Sequence, residues 1–307
     1  MNSEDQTFHI TTERNTGNLI ESIQQVGLMI PPILKEKFSE YIIVSGFRRV
    51  AACRSLGWTR IRAKIVDPAC GMDECVKLAI TDNALQRPLN LVETSRSLHL
   101  LSGQIKDRAG LTEAASSFGL PDNLAVIQKL LKICLLPTPI QNNILAGSLS
   151  LSTALAISRF EPETALALAK IFETLRISLN KQKEILSLVQ EIALREGIPL
   201  RQLLEEERIN SILRDEELDR NSKARKLRSY LRERRYPVIS KAEARFAEYA
   251  GQLKLNDALK LTPPPNFEGT TYTFTLRFET RSELENLHAK LGEIIRHTSL
   301  QKILDRR

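Results

Sequence analysis

The run Tyr41-Ile42-Ile43-Val44-Ser45-Gly46-Phe47-Arg48-Arg49 constrains the fold of this chain more than any other segment. Four consecutive aromatic or β-branched residues predict a buried strand. Ser45-Gly46 ends it. Val50, Ala51 and Leu56 then recur at a spacing that predicts a helix over 47–56 with those side chains inward, closed by Gly57. A strand that passes straight into a helix belongs to a layered α/β or α+β domain. It also makes an anion site, because free N–H groups and the helix dipole favour negative charge. Gly46 lets a phosphate approach the backbone, and Arg48 and Arg49 supply cationic forks. Neighbours on a helix do not share a face. One arginine is therefore expected on the anion and the other on a second phosphate or a structural acid. The competing reading is a solvated basic helix start.

The rest of residues 1–90 fits the same kind of domain. A short strand is expected at 8–10. Leu19, Ile20, Ile23 and Val26 predict a helix stopped by Gly27. Pro31-Pro32 introduces Ile33-Leu34, Ile61, Ala63 and Ile65 alternate as a strand, and a helix is expected over 72–85. From 91 to about 160 the pattern is entirely helical. One helix is expected at 91–105, a short one at 112–117 capped by Thr112, a turn at Gly119, and a helix from Pro121 to about 133. Shorter helices follow at 140–146 and 152–158, and 161–235 is helical too. A junction is expected near Tyr236-Pro237. The triple proline at 263–265 reads as a stiff linker or turn. Tyr272, Phe274, Leu276 and Phe278 alternate with polar residues as a half-buried strand. Leu284, Leu287, Leu291, Ile294 and Ile295 predict an amphipathic helix. The overall expectation is α+β: an α/β N-terminal domain over 1–90, a helical segment over 91–222, a basic segment over 223–241 and a small α+β module over 242–307.

Charge is concentrated in one place. The chain nets +7, and residues 223–241 alone carry eight basic side chains against one acid, while 161–222 carries an acidic excess. Lys223, Arg225, Lys226, Arg228, Arg232, Arg234, Arg235 and Lys241 spread over much of a helical circumference. They read either as a nucleic-acid strip with salt-dependent, sequence-blind affinity or as a solvated face. Gly119 between two helices suggests a helix-turn-helix over 112–133, its second helix presenting Asn123, Gln128, Lys129 and Lys132 to DNA. An ordinary helical hairpin is the alternative, since residues 110–160 net only +1 and Asp122 would repel phosphates.

Asp82 and Asn83 could hold Mg²⁺ through one oxygen each, with Gln86 and Arg87 orienting phosphates or sugar hydroxyls; a polar helix end is the plainer reading. No apolar run reaches a membrane span, and no secretory signal is apparent. Cys53, Cys70, Cys75 and Cys134 make no CxxC pair, so reduced thiols in a cytoplasmic protein are expected, and the four histidines are scattered. Phosphate-loop, dinucleotide and serine-hydrolase motifs are missing.

Taken in order, these segments resemble the ParB/RepB partition-protein family. Ser22-Ile23, Gly27-Leu28 and Pro32 match its "SI…Gl…P" segment. Ser45-Gly46-Phe47-Arg48-Arg49 with Ala51-Ala52 and Leu56-Gly57 is similar to its GERR box. Asp82-Asn83 with Gln86-Arg87, Leu89 and Glu93 is similar to its ENxQR box. Leu136-Pro137, Ile140-Gln141, Gly147 to Ser150 and Ala154 match its "Lp…iq…G.ls…A" segment. The resemblance covers residues 19–160. It implies a ParB/sulfiredoxin-like N-terminal fold, a helical DNA-binding domain, a homodimer on a specific DNA site, and a ParA-type ATPase partner. It also implies CTP bound with Mg²⁺, clamp closure and weak CTPase activity, in a cytoplasmic, nucleoid-associated protein. Carried over, Gly46, Arg48 and Arg49 with Ser45 would cradle the triphosphate, and Asp82 and Asn83 would hold the metal. Phe47 stands where the box has an acid, Asp82 is a methylene shorter than the usual Glu, and Gln86-Arg87 sits one residue late. So little chain precedes the fold that a long ParA-stimulating arm is not expected. The alternatives are a transcriptional or plasmid-maintenance regulator without nucleotide, and a ParB-like nuclease.

Overall fold

Strand β1 (Ile33–Lys37) follows the helix α1 (Gly17–Val26) and pairs antiparallel with β2 (Glu40–Ser45), setting Leu34 opposite Ile43 and Lys35 opposite Ile42. The short β3 (Lys64–Ile65) adds in parallel to β1, so the sheet order is β2-β1-β3. The computed structural model describes residues 4–38, 40–84 and 86–305. Ile42, Ile43 and Val44 are all buried, as expected for a strand covered on both faces. Strand alternation puts Ile43 with Leu34 and Val50 of α2 (Phe47–Ser55). Helix α3 (Met72–Ala84) packs against β2 through Cys75, Val76, Ala79 and Ile80.

Several local expectations are corrected here. Residues 8–10 form no strand, yet Phe8 and Ile10 are each 1% exposed and pack as a non-sheet segment. Ala51 faces outward, and Ala52 and Cys53 fill the place expected for it beside Ile23. Only two residues of the expected 61–65 strand pair. The expected end of α3 at Leu85 lies outside the described residues.

The helices that follow are α4 (Leu91–Gln104), α5 (Arg108–Ser117), α6 (Leu124–Leu130), α7 (Thr138–Leu145), α8 (Leu151–Ile157) and α9 (Pro162–Leu175). Asn90 and Glu93 form a reciprocal capping box on α4. Helix α5 starts earlier than expected because Asp107, not Thr112, caps it: its carboxylate accepts from the Gly110 N–H at 2.6 Å. Thr112 instead donates to the Ala109 carbonyl inside the helix. Likewise α6 starts after Asn123, whose side chain accepts from the Ala125 and Val126 amides, so Pro121 lies ahead of it.

The chain divides into two units, at Leu179 and Asn180, inside the stretch that composition groups as one helical segment. The second unit holds α10 (Leu179–Glu196), α11 (Leu200–Leu204), α12 (Glu207–Arg214), α13 (Arg220–Arg235), α14 (Pro237–Gln252), β4 (Leu259–Thr262), β5 (Thr273–Leu276), α15 (Arg281–Arg296) and α16 (Thr298–Leu304). Strands β4 and β5 pair antiparallel, Leu261 opposite Phe274, with the triple proline in the connection between them. β4 itself gave no clear signal, because its four residues alternate only twice. Leu259, Leu261, Leu287, Ile294, Leu300 and Ile303 form the core of this α+β part. The fold class is thus a helix-rich α+β arrangement with two small sheets. No helix among the described residues is long and apolar enough to cross a membrane.

Candidate functional site

β2 delivers Ser45, 1% exposed, to the turn. Gly46 adopts φ +97°, and a Cβ there would lie 2.9 Å from the Pro32 Cβ. Only glycine takes this conformation and this close approach without strain. No side chain caps α2, so its first amides have no side-chain acceptor. Three segments then converge on Asp82, near the end of α3. The Ser45 hydroxyl donates to Asp82 Oδ2. One terminal nitrogen of Arg49 donates to the same oxygen at 2.8 Å, and the other donates to the carbonyls of Ile30 and Pro31. Gln86 donates to Asp82 Oδ1 at 3.3 Å. Asn83 commits its amide N–H to the Ala79 carbonyl at 2.8 Å, which leaves its amide oxygen for a cation.

Arg48 turns the other way. It donates to the Asn15 carbonyl at 2.7 Å, while its buried Nε has no partner. It opens onto a cavity of about 250 Å³ lined by Arg14, Arg48 and Arg96 together with His9, Thr12, Phe47 and Gln141. Burial, then the charges of Arg96 and Arg14, hold His9 below its usual pKa in this pocket, which Glu13 also lines. The His9 and Phe47 rings lie 4.7 Å apart. Phe47, standing where the family's box has an acid, thus forms an apolar wall. Sequence reasoning missed His9, Arg14 and Arg96 because they lie on separate segments; only Arg48, one residue from Arg49 and on another face, pointed there.

Arg87 does not join Asp82. It forks onto Glu93 at 2.6 and 2.8 Å. Glu93 is fully buried and also accepts from the Thr11 and Thr12 hydroxyls and the Thr12 and Asn90 amides. Burial raises its pKa, but the Arg87 fork and these amides outweigh that and bring it down to about 2. In this structure Arg87 makes an ion pair that joins residues 11–12 to the start of α4.

Residues 2–84 match the family model described as the ParB N-terminal domain. The match identifies this first part of the chain, about a quarter of its length, as a ParB N-terminal domain. The chain is 27% identical over 139 residues to the probable chromosome 1-partitioning protein ParB of Deinococcus radiodurans, covering 45% of this chain and 46% of that one. It is 26% identical over 145 residues to the chromosome-partitioning protein ParB of Myxococcus xanthus, covering 47% of each. The chain spans about half the length of these curated ParB relatives. A crystal structure of C-terminally truncated chromosome-partitioning protein ParB from Caulobacter crescentus, complexed with CTP-gamma-S, matches at 22% identity with a TM-score of 0.22. That match covers 55% of this chain and 91% of the other.

Outside the ParB N-terminal domain, the Gly119 turn (φ +68°) joins α5 to α6, both helices pack on α4, and Leu111, Ala115, Leu120 and Ile127 are buried. Gln128, Lys129 and Lys132 are exposed along α6 and just beyond it. Asn123 is exposed as well, but its amide oxygen is taken by the helix cap. Its side chain is thus engaged in capping α6.

Seven of the eight basic residues of 223–241 lie on α13 and Lys241 lies on α14; the α13 residues are largely neutralised within their own unit. Ala224, Leu227 and Leu231 are buried along one stripe. Arg228 pairs with Glu184 at 2.6 Å, Arg232 with Glu243 at 2.8 Å and Arg235 with Glu191 at 2.7 Å. Arg234 bridges Glu196, at 2.6 Å, and Glu206. Lys226 lies 3.8 Å from Asp215, and Lys223 donates to the Leu213 carbonyl. Arg225 is exposed, donates to the Ser222 hydroxyl at 3.3 Å and lies in the field of Asp219. The expectation of a free cationic strip is corrected accordingly. The basic run and the acidic stretch before it are two sides of one intramolecular network.

Proposed function

We propose that this chain is a DNA-binding partition-type ParB protein. In this reading it acts as a homodimer on a specific DNA site, and its first unit takes CTP with Mg²⁺. One observation carries it. Within the matched ParB N-terminal domain, Ser45, Gly46 and Arg49 converge with Asp82, while Arg48 opens beside them onto a cavity with three arginines.

The donor set suits the ligand. Free amides at the start of α2, Arg48 and Arg49 would hold phosphates through charge-assisted hydrogen bonds. Asp82 and the Asn83 amide oxygen are hard oxygen donors, as Mg²⁺ requires. Mg²⁺ there would neutralise phosphate charge. In the free chain Asp82 orients Arg49 and Ser45, so ligand binding requires Arg49 to exchange a carboxylate for a phosphate. Gln128, Lys129 and Lys132 on and beyond α6 would meet DNA, with exposed Arg225 adding to non-specific contact. A ParA-type ATPase is the partner the resemblance implies.

Calorimetry with CTP and Mg²⁺ on the wild type and on Arg49→Ala tests the nucleotide site: heat in the first, lost in the second. A gel shift at low salt tests DNA binding, and no shift would refute the partition reading. A second reading, a ParB-like regulator without nucleotide, is favoured by the Arg49–Asp82 pair, which already satisfies both groups. DNA binding with no CTP heat would select it.

A further inference from the structure

We propose that Cys70 and Cys75 form a reversible intramolecular disulfide, a modification site at the start of α3. Their sulfurs lie 3.7 Å apart. Cys70 is half-buried and Cys75 is fully buried on the first turns of the helix. Closing to a bonded separation requires an approach of about 1.7 Å, within reach of side-chain rotation at Cys70.

The loop is already shaped for this. The Cys70 amide donates to the Asp67 carbonyl at 2.9 Å, and the Cys75 amide donates to the Gly71 carbonyl at 3.2 Å. The Gly71 amide donates to Glu74 at 3.1 Å, and the Lys35 ammonium donates to the Cys70 carbonyl. A turn held at so many points has little entropy left to lose when the bond forms. The pairing is also specific. Cys53 packs against Ile23 and Ala52, and the Cys134 thiol donates to the Leu131 carbonyl.

The oxidant is a small-molecule disulfide of the glutathione type. Cys70, the more accessible thiol, loses its proton and attacks one sulfur, which breaks the S–S bond and releases one thiolate that takes up the proton. The Cys75 sulfur, losing its own proton, then displaces the second small thiol from Cys70. Two protein thiols are oxidised and one disulfide is reduced to two thiols. Burial, with the hydrogen bonds and charge of Cys75 and Glu74, pushes the Cys70 thiol up to about 12. The pair therefore rests as a dithiol near neutrality and reacts faster as pH rises. The bond staples the loop ahead of α3 to the helix whose far end carries Asp82 and Asn83.

The test uses the full chain, incubated with oxidised glutathione at mildly alkaline pH, blocked with N-ethylmaleimide and digested with trypsin. The peptide 65–77 contains Cys70 and Cys75 and neither other cysteine. The expected product has lost two hydrogens and carries no maleimide, and dithiothreitol restores two labelled thiols. Two maleimide labels after oxidation, or a glutathione adduct persisting in place of the internal bond, would overturn the proposal. In Cys75→Ser the adduct should accumulate on Cys70. Its absence there would overturn Cys70 as the attacking thiol.

Discussion

Replacing Glu93 with Gln tests whether the buried carboxylate holds the first unit together. Glu93 is fully buried and accepts from Arg87, Thr11, Thr12 and Asn90, with partners up to 82 residues away in sequence. Gln keeps the shape, removes the charge and turns an N–H₂ toward donors. The magnitude follows from the carboxyl's pKa, which falls from an ordinary 4.5 to about 2 on folding. A folded-state pKa below the unfolded one contributes stability that is fully present above the unfolded value. That contribution is lost as pH falls through the folded value. At neutral pH the shift corresponds to about 3 kcal/mol. This lies at the lower end of the ~3–5 kcal/mol for breaking a buried pair, as expected when the orphaned Arg87 can turn to water; its side chain is 42% exposed. Trp58, the single tryptophan, sits in the first unit, so its fluorescence during urea unfolding follows that unit. The wild type should exceed Glu93→Gln by about 3 kcal/mol at pH 7, and less than half of that should remain near about pH 3. A difference below ~1 kcal/mol at neutral pH, or one unchanged at acid pH, would refute the reasoning.

Gly46→Ala places a Cβ 2.9 Å from Pro32 at φ +97° and should lower stability by ~1–3 kcal/mol in the same unfolding assay. Arg234→Ala removes the bridge between Glu196 and Glu206, leaving Glu196 with Arg195 and Glu206 with the Tyr230 hydroxyl; circular dichroism should show the second unit melting earlier, while the salt slope of DNA binding stays unchanged. A flattened slope would restore α13 as a DNA strip. Asn123→Ala removes the α6 cap and should cost about 1 kcal/mol in thermal unfolding, with loss of DNA affinity following helix fraying rather than a lost base contact.

What sequence alone determined about this chain is local. The strand 41–44, Gly46 and the helix after it were legible because side-chain periodicity and positive φ are properties of a few adjacent residues. The same holds for the helix ended by Gly27, the Gly119 turn and the strand around Phe274. The split of Arg48 and Arg49 onto different faces followed from helix geometry. Helix starts were less legible, because several residues near a boundary can cap, and only packing selects Asp107 over Thr112 or places Asn123 at the cap of α6.

Tertiary structure decided which partner each charge meets. Arg87 looks like a ligand contact in sequence and is bound to Glu93. The arginines of α13 look like a polyanion strip and face glutamates up to 44 residues away. The cavity gathers Arg14, Arg48 and Arg96 from separate segments. Coulomb interactions act through space, so a count of charges along the chain locates them without saying what neutralises them.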